Sequence, residues 1–273
     1  MDYFCFRNFA FSFALLASVH LQGQTITTFA GNGTAGYVAD GVEATATEIN
    51  SPWGVAVDAA GNVYVGDYGY HKVRIVRSSS ALIYTVAGNG TAGFGGDGGP
   101  ATAANLASPQ SICVDASRNL YLVDAGNRRV RKVTAATGII NTVAGGGTGY
   151  TEGAPATSVD IGDARCIALN NTGVLHIVDN SGVLRRVDPL TNAITTVAGV
   201  VGATTVAFDA SNNIYYSGVG TGIRKIDAIT SAVTLLLPAG GDHFCLDPSG
   251  NIYFGDGSKI YELHSGSSYV DTI

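Results

Sequence analysis

Short stretches in which apolar and polar residues alternate run along most of the chain, separated by turns rich in Gly, Asn and Asp. Residues 55–76 show the pattern clearly. An apolar run is followed by an Asp-x-x-Gly-Asn turn, a second run, and a third run in which β-branched residues alternate with Lys and Arg. Alternation of this kind is typical of a strand that buries one face. The pattern therefore predicts short antiparallel β-strands joined by tight turns.

This segment returns along the chain. Its five copies cover residues 55–76, 112–133, 167–188, 206–227 and 244–264. A fourth run follows most of the copies, at residues 83–88, 140–145, 194–199 and 233–240. Repeated four-stranded antiparallel units indicate the blades of a β-propeller. We therefore predict an all-β propeller with five recognisable blades.

The repeats resemble those of the NHL-repeat β-propeller family, in its secreted bacterial form. The shared motif is apolar-Asp-x-x-Gly-Asn-apolar-Tyr-apolar-x-Asp, followed by Gly-Asn-x-Arg, and the copy at 112–133 matches it best, with Asp124, Gly126, Asn127 and Arg129. The resemblance covers residues 25–273. It implies a propeller, usually of six blades, that serves as a binding platform, a sensor or, in fewer members, an enzyme.

The number of blades follows less directly from the repeats. Residues 26–31 match the fourth strand but precede any first strand, and residues 269–273 match the fourth strand as well. Either a five-bladed ring closes with one of these strands redundant, or a six-bladed ring is incomplete. The family resemblance favours the incomplete six-bladed ring.

Residues 1–23 have the pattern of a secretory signal peptide. Arg7 lies in a short polar start, and an apolar run covers residues 9–19, which is too short to span a bilayer as a helix. We therefore expect a propeller domain at 24–273, a secreted or periplasmic location, and no membrane span.

Composition and charge exclude several other classes of protein. Only 13% of the 273 residues are charged, 37 are Gly, and the net charge is −6. Coiled coils and disordered polyelectrolytes need more charged residues, and nucleic-acid binding favours a basic surface. Most of the Lys and Arg residues lie in the third strands, where we expect interblade salt bridges to turn aspartates. We expect no nucleic-acid partner.

The candidate binding site is the mouth of the central channel, at the residues that lead into each first strand. Aligned on the first-turn aspartate, these positions differ from blade to blade, as recognition of an asymmetric ligand requires. The predicted ligand-binding residues are Trp53, Gln110, Arg165, Thr204, Asp242 and His243. They would bind a protein, peptide or glycan, and the chain would be a monomer unless a partner completes the ring.

Other interpretations of the same residues stay open. A metal-dependent lyase or hydrolase would use Arg165, Asp242 and His243, but zinc catalysis requires about three protein ligands, and only one His lies at this register. Calcium could bind the acidic residues Asp40, Glu43, Asp97 and Glu152 in the long connections, although we expect these carboxylates to be solvated. The third alternative is a purely structural role. We predict no catalytic residue and no cofactor, with calcium or zinc as the exceptions.

Overall fold

A computed structural model describes residues 26–37, 39–238, 241, 243–256 and 258–273. The predicted signal peptide, residues 1–23, lies outside the described residues. Within them, no helix is long and apolar enough to cross a membrane.

Five antiparallel sheets follow one another along the chain, and we call them blades one to five. Blade one contains β1 (Val42–Glu43), β2 (Pro52–Val57), β3 (Val63–Asp67), β4 (Lys72–Val76) and β5 (Leu82–Ala87). Blade two contains β6 (Pro109–Val114), β7 (Leu120–Asp124), β8 (Arg129–Thr134) and β9 (Ile139–Gly145). Blade three contains β10 (Cys166–Leu169), β11 (Leu175–Val178), β12 (Leu184–Val187) and β13 (Ile194–Thr196).

The last two blades have the same organisation. Blade four contains β14 (Thr205–Phe208), β15 (Ile214–Gly218), β16 (Gly222–Ile226) and β17 (Val233–Leu237). Blade five contains β18 (Phe244–Leu246), β19 (Ile252–Asp256), β20 (Lys259–Leu263) and β21 (Val270–Thr272). Each blade is a meander in which sequential strands are neighbours, and β1 adds a short extra strand beside β5.

The turn between the first and second strands is fixed by an acidic side chain. In blade one, Asp58 Oδ1 accepts the backbone N–H groups of Ala60 and Asn62, and the Asn62 amide donates to Asp58 Oδ2 at 2.8 Å. Asp115 and Asp209 accept equivalent bonds. A carboxylate that satisfies turn N–H groups in this way has a structural role.

Successive blades pack face to face around a common axis. The innermost strands β2, β6, β10, β14 and β18 contact one another in this order. Between blades one and two, Tyr64 and Ile75 share a buried cluster with Ile112 and Leu122, and equivalent clusters join each later pair of blades. The prediction of an all-β propeller with five four-stranded blades is confirmed. Val270–Thr272 form the fourth strand of blade five, whereas residues 26–31 form no strand.

Three long connections, which we call straps, cross the outer edges of blades one to three. Strap one is residues 31–51, strap two is 88–108 and strap three is 145–163. Strap one pairs with blade one through β1, and the other straps make single bridges, Pro100 to Ile139 and Pro155 to Ala193. The straps therefore extend the sheets that they cross.

The strap carboxylates Asp40, Asp97 and Glu152 are exposed, as expected, and each of them also bonds to a blade. Asp40 lies 3.1 Å from Arg74, and Asp97 lies 2.6 Å from Arg131. Glu152 accepts the backbone N–H of Thr196 at 2.7 Å. These acids are neighbours of third- and fourth-strand residues in space although they are far from them in sequence. Expected salt bridges to turn aspartates also form, such as Arg131 to Asp124 at 3.2 Å.

Candidate functional site

One end of the propeller carries the residues that lead into the innermost strands. Because the strands of each blade are antiparallel, the turns between second and third strands lie at this same end. The straps enter the innermost strands here too. We call this the loop-rich end.

Trp53, Gln110, Arg165 and Thr204 occupy equivalent positions in successive blades, and His243 lies one position later in its own blade. The register follows from cross-strand residue pairs, which in blades one and two are Val55–Val65 and Ile112–Leu122. The corresponding pairs in the later blades are Ile167 with Ile177, Val206 with Tyr216, and Phe244 with Phe254. By this register, Trp53, Gln110, Arg165, Thr204 and His243 lie at the loop-rich end of their innermost strands. Asp242 lies outside the described residues.

Three of these side chains are exposed. Trp53 is 53% exposed, and its ring centroid lies 6.0 Å from that of Tyr68. Arg165 is exposed, while its backbone N–H donates to the Val178 carbonyl at 2.9 Å and so fixes its position beside β11. His243 is also exposed, with Nδ1 3.0 Å from the hydroxyl of Thr205. These side chains form the accessible part of the candidate site.

The other two described residues are more enclosed. Gln110 is half-buried in β6. Thr204 is buried, and its hydroxyl donates to the Ser217 carbonyl at 3.3 Å. Thr204 therefore helps to hold β14 against β15.

Residues one position later, at the register of His243, join neighbouring blades. Ser111 Oγ accepts the Ile167 N–H at 3.0 Å, and the Thr205–His243 contact links blades four and five. Gly54 lies so close to blade two that a Cβ there would be 2.1 Å from the Gln110 carbonyl oxygen. Sequence reasoning missed this division of roles, although small residues recurring at this register were a signal for close packing.

Aromatic side chains of the straps stack on the basic third strands. The Lys72 Nζ lies 3.6 Å from the Tyr37 ring centroid, and Arg129 lies 3.9 Å from that of Phe94. In strap three, Tyr150 stacks on Arg185 at 3.8 Å. Cation–π contacts of this kind are favourable, and they hold the straps on the blades. The aromatic residue two or three positions before each strap carboxylate was the sequence signal for them.

The described histidines outside the channel mouth, His71, His176 and His264, have local partners. His71 Nδ1 accepts the Ser108 N–H at 3.1 Å, and His264 Nε2 lies 2.8 Å from Asp271. His176 is buried in β11, and burial lowers its pKa to about 4. Among the described residues, no group of three or more His, Cys, Asp or Glu side chains is placed to hold a metal ion.

Comparison with known proteins identifies the repeat and the fold. The NHL repeat family model matches residues 50–76. Protein SUPPRESSOR OF QUENCHING 1, chloroplastic, from Arabidopsis thaliana is 24% identical over 196 residues, which are 67% of this chain. The chain spans only 18% of the length of this curated relative.

Solved structures of other propellers are similar in fold. Virginiamycin B lyase from Staphylococcus aureus has 13% identity and a TM-score of 0.53, covering 81% of this chain and 69% of the lyase. A gluconolactonase from Xanthomonas campestris has 16% identity and a TM-score of 0.59, covering 80% of this chain and 73% of that structure. At these identities the similarity concerns the fold alone. The repeat match at residues 50–76 and the five-bladed architecture support an NHL-repeat β-propeller.

Proposed function

We propose that this chain is a noncatalytic binding scaffold, which holds a protein, peptide or glycan partner at the loop-rich end, over the mouth of the channel. The observation that carries the proposal is the exposure of Trp53 and Arg165 at the same register of two innermost strands. Trp and Arg are the side chains that most often dominate binding energy at interfaces. The signal peptide expected from the sequence would place this partner outside the cytoplasm.

The chemistry of the mouth suits a partner with both apolar and polar groups. Trp53 and Tyr68 present aromatic surface, and Arg165 presents a planar guanidinium that can donate two parallel hydrogen bonds. Gln110 adds an amide donor and acceptor. Because the equivalent positions in the other blades carry different residues, an asymmetric partner would dock in one orientation.

The protein contains its own probe of this site, because Trp53 is the only tryptophan in the chain. We expect a saturable change in its fluorescence when the full chain is titrated with members of glycan and peptide libraries that bind it. Arg165→Ala should weaken that binding about tenfold, which corresponds to about 1.4 kcal/mol. Arg186→Ala, which removes an exposed arginine from β12, is the matched control and should leave the affinity unchanged.

The contrary result is equally clear. A ligand that binds wild type, Trp53→Ala and Arg165→Ala with equal affinity in isothermal titration calorimetry, which needs no tryptophan, would place the binding surface elsewhere. The proposal for the channel mouth would then be abandoned.

A metal-assisted lyase or hydrolase using Arg165, Asp242 and His243 is the second candidate. Similarity to the fold of a lyase and a gluconolactonase is the observation that favours it. Metal analysis of the purified protein distinguishes the two functions. Stoichiometric zinc or calcium that is lost in His243→Ala and retained in the control His264→Ala would replace the binding proposal with the enzymatic one.

A further inference from the structure

The three straps bind their blades through one repeated pair of backbone hydrogen bonds. In strap two, the Gly98 N–H donates to the Ile140 carbonyl at 2.9 Å, and the Ala101 N–H donates to the Gly138 carbonyl at 2.8 Å. The same two bonds come from Gly41 and Ala44 in strap one, and from Gly153 and Ala156 in strap three. The outer edge of a blade therefore accepts an extended segment at fixed carbonyl groups.

The strap segments that make these bonds share a sequence motif. They read DGVEATA at 40–46, DGGPATA at 97–103 and EGAPATS at 152–158. Two or three positions before each acid there is an aromatic residue, which is Tyr37, Phe94 or Tyr150. The strap motif is thus an aromatic residue, then an acid followed by Gly, and then Ala-Thr.

The acid and the aromatic residue of the motif meet one arginine position in the third strand. Asp97 lies 2.6 Å from Arg131, and the Phe94 ring centroid lies 5.0 Å from the same guanidinium. Cross-strand pairing places the equivalent arginines opposite the same second-strand position, in the pairs Val65–Arg74, Leu122–Arg131, Ile177–Arg185 and Tyr216–Arg224. The last of these pairs belongs to blade four, which no strap crosses.

Blade four keeps the backbone that accepts a strap elsewhere. Ser231 is left-handed with φ 59°, and so are the accepting turn residues of the strapped blades, Ala81, Gly138 and Asn192, with φ 58°, 68° and 58°. Val233 pairs with Ile226 as Ile83 pairs with Val76 in blade one. The Val233 side chain is 52% exposed, whereas Ile83 is completely buried. The outer edge of blade four therefore has the geometry of a strapped edge and is open to solvent.

The charge at this edge also calls for a partner. Arg224 is half-buried and donates to the Thr221 carbonyl at 2.6 Å. None of the salt bridges in the described part of the chain includes it. Its equivalent Arg131 is bound by two carboxylates. A carboxylate brought to Arg224 would form a charge-assisted hydrogen bond at a position that is already shielded in part from water.

We propose that the outer edge of blade four, formed by β17 and Arg224, binds an extended segment of a partner protein that carries the strap motif. The segment adds to β17 as an antiparallel strand, as β1 adds to β5. Its Gly and Ala N–H groups donate to the carbonyls of Val233 and Ser231. Its acid pairs with Arg224, and its aromatic ring stacks on the guanidinium. Addition of a strand to an open sheet edge is a common mode of recognition.

One residue makes this edge more apolar than the strapped edges. Leu235 is 52% exposed and pairs with Arg224, whereas the strapped blades have a threonine there. The hydroxyls of these threonines, Thr85, Thr142 and Thr196, donate to the strap acids. In blade four the acid of the partner would bind Arg224 alone. We therefore expect a partner segment with apolar residues beside its acid, which would cover Leu235.

A second copy of this chain is a poor source of the segment, because each of its straps is bonded to its own blade. The proposed surface lies at the outer edge of the propeller, away from the channel mouth. It therefore does not depend on the proposed function.

The probe for this proposal is a peptide with the sequence of residues 36–47, GYVADGVEATAT, which carries the motif with valines beside the acid. It is added to the full chain at millimolar concentration and, in a second format, is tethered after Ile273 through a long flexible linker. The tether gives a high effective concentration, so weak affinity does not hide the interaction.

Hydrogen exchange of the Val233 amide measures the binding. In blades two and three, the N–H groups of the equivalent Ile140 and Ile194 donate to strap carbonyls at 3.0 and 2.9 Å. We therefore expect exchange at Val233 to slow at least threefold when the peptide binds. Unchanged exchange in both formats would overturn the proposal.

A charge cycle tests the contact with Arg224. Replacing the acid of the peptide by Asn, as in Asp40→Asn, should weaken binding to wild type about fivefold. Arg224→Gln should cost the same, and the change in the peptide should then have no further effect. Arg186→Gln, at an exposed arginine of β12, is the matched control and should bind as wild type does. Equal losses for the two arginine variants would mean general charge attraction and would contradict the proposed contact.

Blade five provides a control within the same molecule. No strap crosses it either, but Tyr261 lies at the register of Arg224, opposite Phe254. Val270 is its equivalent of Val233, since it pairs with Leu263. We expect exchange of the Val270 amide to stay unchanged. Equal protection of Val270 and Val233 would mean that the peptide adds to any open edge, and the assignment to blade four would be wrong.

Discussion

Blades one to three and blades four and five share a strand order but differ at their outer edges. A strap crosses each of the first three blades, whereas short connections lead into blades four and five. Val233 and Leu235 on the outermost strand of blade four are each 52% exposed, while Ile83 on that of blade one is completely buried. An uncovered outer strand leaves backbone groups and apolar side chains in water. The straps therefore cover the outer edges that the four-stranded meander leaves exposed.

The same difference decides whether a third-strand arginine can be buried. Arg131 in blade two is fully buried and lies within 3.2 Å of two carboxylates, Asp97 of the strap and Asp124 of the turn. Its equivalent in blade four, Arg224, is half-buried and donates to the Thr221 carbonyl. Burial of a guanidinium is costly unless carboxylates offset its desolvation, and Arg131 has two of them. A strap that carries an acid makes this burial possible.

Arg131→Ala should have the largest effect on stability. It leaves two carboxylates near each other without their cation, and breaking a buried ion pair costs about 3–5 kcal/mol. Urea denaturation followed by circular dichroism should show this loss in the free energy of unfolding. Arg224→Ala is the matched control and should cost less than about 1 kcal/mol. Similar losses for both would mean that the strap contributes nothing to burial of the arginine.

Asp67→Asn tests a difference between blades one and two, both of which are crossed by a strap. Asp67 is fully buried and one of its oxygens has no hydrogen-bond partner among the described residues, whereas the equivalent Asp124 is bonded by Asn127. Burial raises the pKa of Asp67 to about 6. The stability linked to its protonation is present below its unfolded pKa and is lost as the pH rises through about 6.

The stability of wild type relative to Asp67→Asn should therefore fall by about 1 kcal/mol between pH 5 and pH 7.5. Urea denaturation at both pH values measures this difference. Asp227→Asn provides the control, because the backbone N–H of Thr230 holds the pKa of that exposed carboxyl below its usual value. The control should show no change over the same pH range. If the difference in stability between wild type and Asp67→Asn did not change with pH, the raised pKa of Asp67 would be contradicted.

The smallest effect should come from Phe94→Leu in strap two. Phe94 lies 3.9 Å from Arg129 and 5.0 Å from Arg131, measured from the ring centroid to each guanidinium carbon. Leucine keeps most of the apolar contact but removes the ring, so the loss reports the cation–π contribution of about 0.5 kcal/mol. In the Arg131→Ala background the loss should shrink, as a double-mutant cycle can show. Full additivity would mean that Phe94 and Arg131 act independently.

The repeat pattern was sufficient to predict the blades because alternation and turn chemistry are local. Asp58 and its equivalents bond groups within a few residues, so the sequence around each turn determines it. The register of the innermost strands could be aligned for the same reason, and the strand pairing agrees with that alignment at Trp53 and Arg165.

The straps could not be predicted in the same way. Asp97 and Arg131 are distant in sequence, and only the crossing of strap two over blade two brings them together. Residues 26–31 have the sequence of a fourth strand, but they form no strand in the structure. A strand forms only where a neighbouring strand is available for pairing, and the sequence of the segment itself does not show this. Sequence alone therefore located the acidic residues without identifying their partners.

The close approach at Gly54 has a consequence for how binding specificity can change. Because backbone atoms of β2 and β6 meet directly there, the width of the central opening between blades one and two is set by main-chain contact. The side chains that project from the rim do not hold the blades apart. Trp53 or its counterparts can therefore be exchanged for other residues without a change in the distance between these two innermost strands.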